Sequence, residues 1–244
     1  MARYCLSFTA AGLRPDLAAV VAGIYLEEGD WSRTQAAVLK RNALQTRSTS
    51  SAKRLESELR QRLQTLSVSQ LELLARGTSD ERCAMAWLAV LKRIPIARQL
   101  ATDLLAQKLS GLDPVLRRSD MAGFFEGRER EHPELRALAP SSQQKVRSAL
   151  LQMLREAGLL TGKATSGGVV GTVQRPLLSP QVQDLLLDEA PALTAAFLQP
   201  PLADSAKTAG GAKTKPRGPA KPSAKTKPGR QPASKTATTR RKVA

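Results

Sequence analysis

Residues 141–160 read SSQQKVRSALLQMLREAGLL. Val146, Ala149, Leu150, Met153, Leu154 and Ala157 recur at i, i+3, i+4, i+7, i+8 and i+11, the apolar stripe of an amphipathic helix. Ser141 or Ser142 supplies a hydroxyl to cap its start, and Gly158 ends it. Downstream, Leu159-Leu160, a glycine-rich stretch, Val169, Val170, Val173 and Pro176-Leu177-Leu178 predict a β-hairpin. Upstream, a short helix near Ser119 to Glu126 carries Met121, Phe124 and Phe125, and a further turn follows at His132-Pro133-Glu134-Leu135. Three helices, a glycine stop and a hairpin follow the order of a winged helix-turn-helix. A last helix is predicted from Pro180 to about Asp188, and Pro200-Pro201 marks a linker.

Toward the N-terminus the period stays helical. Tyr4, Leu6 and Phe8 alternate as in a short extended arm. Pro15 then opens a helix carrying Leu17, Val20, Val21, Ile24 and Tyr25 that Gly29 stops, and a second begins near Asp30 or Ser32. Leu55, Leu59, Leu63 and Leu66 form the stripe of a third. Ser69 with Glu72 predicts a capping box ahead of Leu71 to Arg76. Asp80 to Ile94 is a fifth helix, broken at Pro95, and Leu100, Leu104, Leu105 and Leu109 a sixth. The 244-residue chain has 41% hydrophobic residues but only eight aromatics, so its core is built from Leu, Ala and Val, a mixture that favours helices.

The net charge of +17 is divided unevenly. From Ala203 to Ala244 eight Lys and four Arg face Asp204 alone, leaving +11 there and +6 on the body. The tail lacks Leu, Ile, Met and aromatics, so it cannot bury enough apolar surface to offset the entropy of ordering, and disorder is expected. Its Lys/Ala/Pro/Thr composition resembles linker-histone and bacterial histone-like tails, which coat nucleic acid through phosphate contacts. In the body no acid interrupts Trp31 to Leu55, where six cations fall.

The longest uncharged apolar run, Leu17 to Leu26, has ten residues, against roughly 18 for a bilayer span. Met1 to Phe8 develops no signal-peptide core, so a cytoplasmic protein without membrane contact is expected. Cys5 and Cys83 lack metal or redox spacing and read as small buried hydrophobes. The single histidine, His132, has no partner at ligand spacing and reads as a cap or surface residue. Gly158 to Thr165 is one residue short of a phosphate loop and has Ala164 where that loop needs a hydroxyl. No catalytic residue, metal ligand or cofactor is assigned, because no nucleophile, base and oxyanion donor occur together.

Two body surfaces are candidates for nucleic acid. The first comprises Arg33, Lys40, Arg41, Arg47, Ser50, Ser51, Lys53 and Arg54. Cations at a helix start are unfavourable unless an anion joins them, whereas hydroxyls and free N–H groups there are phosphate donors. An exposed basic face whose small dipole penalty is tolerated explains the same residues. The second is the outward face of the 142–157 helix, with Gln144, Lys145, Ser148, Gln152 and Arg155, and Arg147 on its flank. Gln and Arg can bond bidentately to adenine and guanine edges. Leu151 also points outward, which suits a protein contact or a wing packed over the helix.

Tyr4-x-x-Ser7-Phe8-Thr9, Gly29-Asp30-Trp31, Arg47 with Ser50-Ser51-x-x-Arg54, His132-Pro133-Glu134-Leu135, Leu154-Arg155-Glu156-Ala157-Gly158-Leu159-Leu160 and Leu178-Ser179-Pro180 occur in that order. Together they resemble BrxA, a family of small proteins of bacteriophage exclusion (BREX) systems, over about residues 4–190. The resemblance implies an all-helical fold related to NusB-type bundles, double-stranded DNA binding and no known catalytic activity. It also implies a role beside a methyltransferase, an ATPase and other BREX proteins that modify host DNA and block phage replication. The basic tail and the Gly162 to Gly171 insertion depart from the family's shorter form.

The expected architecture is therefore all-α. A NusB-like bundle covers residues 1–112, a winged-helix-like part with a small hairpin covers 113–200, and a disordered basic tail covers 201–244. The expected function is non-catalytic binding of double-stranded DNA in a BREX system, with other BREX proteins as possible partners. An RNA-binding module, or an assembly adaptor whose tail alone touches nucleic acid, are the alternatives. Competition between duplex DNA and structured RNA separates the first, because A-form RNA has a major groove too deep and narrow for a helix.

Overall fold

Helix α1 (Pro15–Glu28) starts on a proline that has no donor to leave unsatisfied, and ends where Gly29 turns left-handed at φ 67° and its N–H reaches the Tyr25 carbonyl. The Asp30 carboxylate caps α2 (Trp31–Lys40) by accepting from the Arg33 N–H, and the Ser48 hydroxyl caps α3 (Thr49–Leu63) by accepting from the Ser51 N–H. Helix α4 (Val68–Arg76) opens two residues earlier than expected, on a capping box of Ser67 and Gln70 instead of Ser69 and Glu72. Both pairs have the right spacing. Buried Gln70 decides between them, since its amide donates to Glu189 at 2.8 Å and its carbonyl accepts from Lys92 Nζ at 2.7 Å.

The centre of the molecule is α5 (Ser79–Arg93), boxed by Thr78 and Glu81, in which every residue from Ala84 to Leu91 is buried. A helix apolar all round belongs inside, and the Trp87 indole N–H donates to the Ala196 carbonyl at 3.3 Å. Pro95 begins α6 (Pro95–Gln99), which passes through a π-helical turn at Leu100–Leu105 into α7 (Ala106–Ser110).

The computed structural model describes residue 4 and residues 6–111, 113–162 and 167–200. Strand β1 (Val115–Arg117) leads into α8 (Arg118–Glu131), α9 (Pro133–Arg136) and α10 (Pro140–Glu156). Strands β2 (Leu160–Thr161) and β3 (Val169–Val173) form the expected hairpin pairing, and β1 joins them in an antiparallel sheet of order β1-β3-β2. Helix α11 (Pro180–Glu189), capped by Ser179, and a 3-10 segment at Pro191–Phe197 follow. The fold is thus mostly helical with one small sheet, as expected. Among the described residues no helix is long and apolar enough to cross a membrane. The basic tail lies outside the described residues.

Several local expectations differ from what forms. Ser7–Ala10 is a 3-10 turn and not an extended arm, and it places Phe8 at 1% exposure. Helix α10 begins at Pro140 with Ala139 as its cap and no side-chain cap bond, ahead of the serines, because proline itself sets the first turn. Cys83 is only half-buried, enough to push its thiol pKa up, and Cys5 lies outside the described residues.

The N-terminal residues act as a tie between elements. Buried Arg62 of α3 donates to the carbonyls of Gly12 (2.7 Å), Ala11 (3.1 Å) and Phe8 (3.3 Å) and to Glu58 (3.0 Å). Glu156 of α10 accepts from the backbone N–H groups of Leu13 and Arg14. Tyr4 stacks on His132 with ring centroids 3.6 Å apart, and its N–H donates to Glu134 at 2.7 Å. That N–H, with a lesser bond from His132, holds the Glu134 carboxyl below the usual carboxylate range. His132, expected as a cap or surface residue, stands at the cap position between α8 and α9 and is buried at 4% exposure, not on the surface.

Candidate nucleic-acid interface

Residues of the first surface separate into two groups. Arg33 donates to the main-chain carbonyl of Glu28, while Arg41 pairs with the carboxylates of Glu27 at 3.4 Å and Glu28 at 3.6 Å, so those acids offset Arg41 alone. Lys40, Arg47, Lys53 and Arg54 are exposed, with no ion pair among the described residues. At the start of α3 the Ser48 hydroxyl caps the Ser51 N–H and lies 3.2 Å from Ser50 Oγ and 2.9 Å from Ser51 Oγ. The hydroxyls expected to meet phosphate thus already form a local cluster. The first turn of α3 carries no acid, with exposed Arg47 just ahead of its cap and exposed Lys53 and Arg54 in its second turn and not, as expected, at its start.

The second surface becomes a groove. The buried stripe of α10 (Val146, Leu150, Met153, Leu154) faces the core, and its flank turns toward α8 and β3. Gln144, Arg147, Ser148, Leu151 and Arg155 line one wall of a groove of about 570 Å³, and Arg118, Met121, Ala122 and Val170 complete it. Leu151 is partly buried against the core and lines the groove together with Val170 of β3. No carboxylate lines the groove, and three arginines do.

Each arginine is held differently. The Arg147 guanidinium lies 4.9 Å from the Phe125 ring centroid, a cation–π contact, and its Nε is buried without a hydrogen-bond partner. Arg155 donates from Nη2 to the Val170 carbonyl at 2.9 Å, joining α10 to β3. Arg118 is exposed, and its side chain has no partner among the described residues, while its N–H donates to the Gly168 carbonyl at 2.8 Å. Gln144 donates to Ser148 at 3.3 Å. Of the remaining expected residues, Lys145 is exposed and Gln152 donates to Glu156 at 2.8 Å, beside Gly12 and away from the groove.

The family described as BrxA matches residues 2–190. The chain belongs to the BrxA family. Among BrxA relatives, the BREX protein BrxA of Escherichia coli O9:H4 (strain HS) is 28% identical over 139 residues. That alignment covers 57% of this chain and 65% of the relative, just under two-thirds of its length. A solved structure of an uncharacterized protein from Magnetospirillum magneticum superposes on this BrxA chain with a TM-score of 0.68 at 20% identity. It covers 81% of this chain and 99% of that one, a likeness of fold.

In this BrxA chain the residue that sequence reasoning missed is Arg118. Its signal was present, since Arg117-Arg118 puts cations at a helix start, the pattern expected of Lys53-Arg54, which instead fall in the second turn of α3. It went unread because nothing local shows that β1 ends there and that the wall of α10 lies opposite. Among the described residues no three of His, Cys, Asp and Glu converge on a metal position.

Proposed function

We propose that this chain is a non-catalytic accessory protein of a BREX defence system that binds double-stranded DNA, with the α10 groove and the start of α3 as its structured contacts. The observation that carries the reading is the groove, in which three arginines converge from two helices with no acid among them. Two further features support it. The sheet order β1-β3-β2, with β1 before α8 and the β2 and β3 pair after α10, supports a winged-helix reading with α10 in the place of the recognition helix. The relative from Escherichia coli is titled a BREX protein.

The basic tail adds sequence-independent affinity through counterion release. A mobility-shift assay at two salt concentrations tests this division. The full-length protein loses duplex binding steeply with salt, and protein truncated after residue 202 binds more weakly with a shallower slope. Absence of duplex binding by the truncated protein at low salt would refute the structured contacts. An excess of structured RNA competes poorly for the truncated protein if α10 enters a B-form groove, and competes fully if the partner is RNA.

A further inference from the structure

We propose that the groove between α8, α10 and β3 seats a backbone phosphodiester of the bound duplex, so that Arg118, Arg147 and Arg155 contact phosphate and do not read bases; this rests on the DNA-binding reading above. Base edges lie at the floor of a major groove about 8.5 Å deep and are reached by a convex element. The α8–α10 groove is concave, and its cations line the walls. A recess of about 570 Å³ with arginines on its walls accepts a protruding sugar–phosphate strand.

The lining fits both halves of such a strand. Arg147 is pinned over Phe125 and has a buried, unpartnered Nε, so its fork is already oriented and little rotamer entropy remains to be lost. Arg155 uses one Nη2 bond on Val170 and keeps its other donors. Arg118 stands in the first turn of α8 with its side chain unpaired among the described residues, while Asp120 of the same turn is engaged by the Arg117 N–H and Lys108 and does not line the groove. Met121, Ala122, Leu151 and Val170 give an apolar surface for the deoxyribose, and the Ser148 hydroxyl provides a further donor.

The test uses the full-length chain and several duplexes of unrelated sequence, titrated from 50 to 200 mM salt. Arg118→Gln is the informative variant because no described residue depends on its side chain, so its thermal midpoint stays at the wild-type value. Arg155→Gln and Arg147→Lys accompany it. Loss of one phosphate contact lowers the salt slope by about 0.9, so over this fourfold salt range wild-type affinity falls about 3.5-fold further than that of the variant. Affinity drops by the same factor on every duplex. An unchanged slope for Arg118→Gln and Arg155→Gln, while alanines at Arg47, Lys53 and Arg54 still lower it, would overturn the groove proposal and leave the DNA-binding reading standing. A loss confined to one duplex sequence would also overturn it, in favour of base contact. If neither set of variants alters binding, the body does not touch DNA and both readings fail.

Discussion

Arg62→Met removes the residue that ties the N-terminal segment to α3. The guanidinium is 2% exposed, and the Glu58 carboxylate it meets at 3.0 Å belongs to a residue 5% exposed. Breaking a buried ion pair from one side costs about 3–5 kcal/mol, because the remaining charge is left unpaired. The carbonyls of Phe8, Ala11 and Gly12 lose their donor as well, and a buried unsatisfied acceptor costs about 1–3 kcal/mol. These terms overlap, since the segment can shift to admit water, so a net loss of about 4 kcal/mol is expected. Burial lowers the Arg62 pKa and Glu58 opposes the shift, and a guanidinium remains a cation at neutral pH. With a urea slope near 2.5 kcal/mol/M, the unfolding midpoint falls by about 1.6 M. Glu58→Leu added to Arg62→Met recovers part of the loss by removing the orphaned charge, but not the part owed to the carbonyls. A loss below about 1 kcal/mol for Arg62→Met, or no recovery in the double variant, would refute the reasoning.

Other perturbations separate local causes. A Cβ on Gly171 would lie 2.4 Å from the Thr161 carbonyl oxygen and 3.0 Å from Leu160 Cγ, so Gly171→Ala forces β2 and β3 apart and costs about 1–3 kcal/mol in thermal unfolding. Gly123 in α8 has nothing within 4 Å of such an atom, and Gly123→Ala stabilises by about 0.5–1 kcal/mol in the same assay. The Ser179 hydroxyl first, then the Thr78 N–H, hold the Glu81 carboxyl below its ordinary value of 4.5. A depressed folded pKa gives stability that is present above 4.5 and lost as pH falls through the folded value, so the melting-temperature gap between wild type and Glu81→Gln narrows between pH ~6 and ~3. Alanines at Arg47, Lys53 and Arg54 together lower the salt slope of duplex binding by up to about 2.7 without moving the melting temperature. Alanine at Arg41, already paired with Glu27 and Glu28, lowers it less.

Helices were legible wherever an apolar period coincided with a local stop. Gly29 after Tyr25 and Gly158 after Ala157 each mark an end that backbone geometry alone enforces. The hairpin was legible from paired apolar runs around a glycine-rich stretch. Strand β1 was not, because three residues are too few to show a period and it becomes a strand only by pairing with β3. The start of α4 was misplaced for a similar reason, since two capping boxes of equal spacing are resolved only by Lys92 and Glu189, far away in sequence. At the candidate site, the acid-free run singled out a group of cations. It could not show that Glu27 and Glu28 both pair with Arg41, or that Arg118 lies across a groove from Arg147 and Arg155. His132 reads as a cap or surface residue, but its burial under Tyr4 depends on the N-terminal segment meeting the α8–α9 junction.

The central claim is that the folded body, and not the basic tail alone, holds DNA. Titrating the methyl-labelled full-length chain with a duplex and following the Met121, Ala122, Leu151 and Val170 signals tests it directly, because all four line the groove. The account predicts that these methyl signals shift in step with duplex saturation and return as salt is raised. Shifts confined to residues beyond 202, with the groove methyls unmoved at saturation, would contradict it.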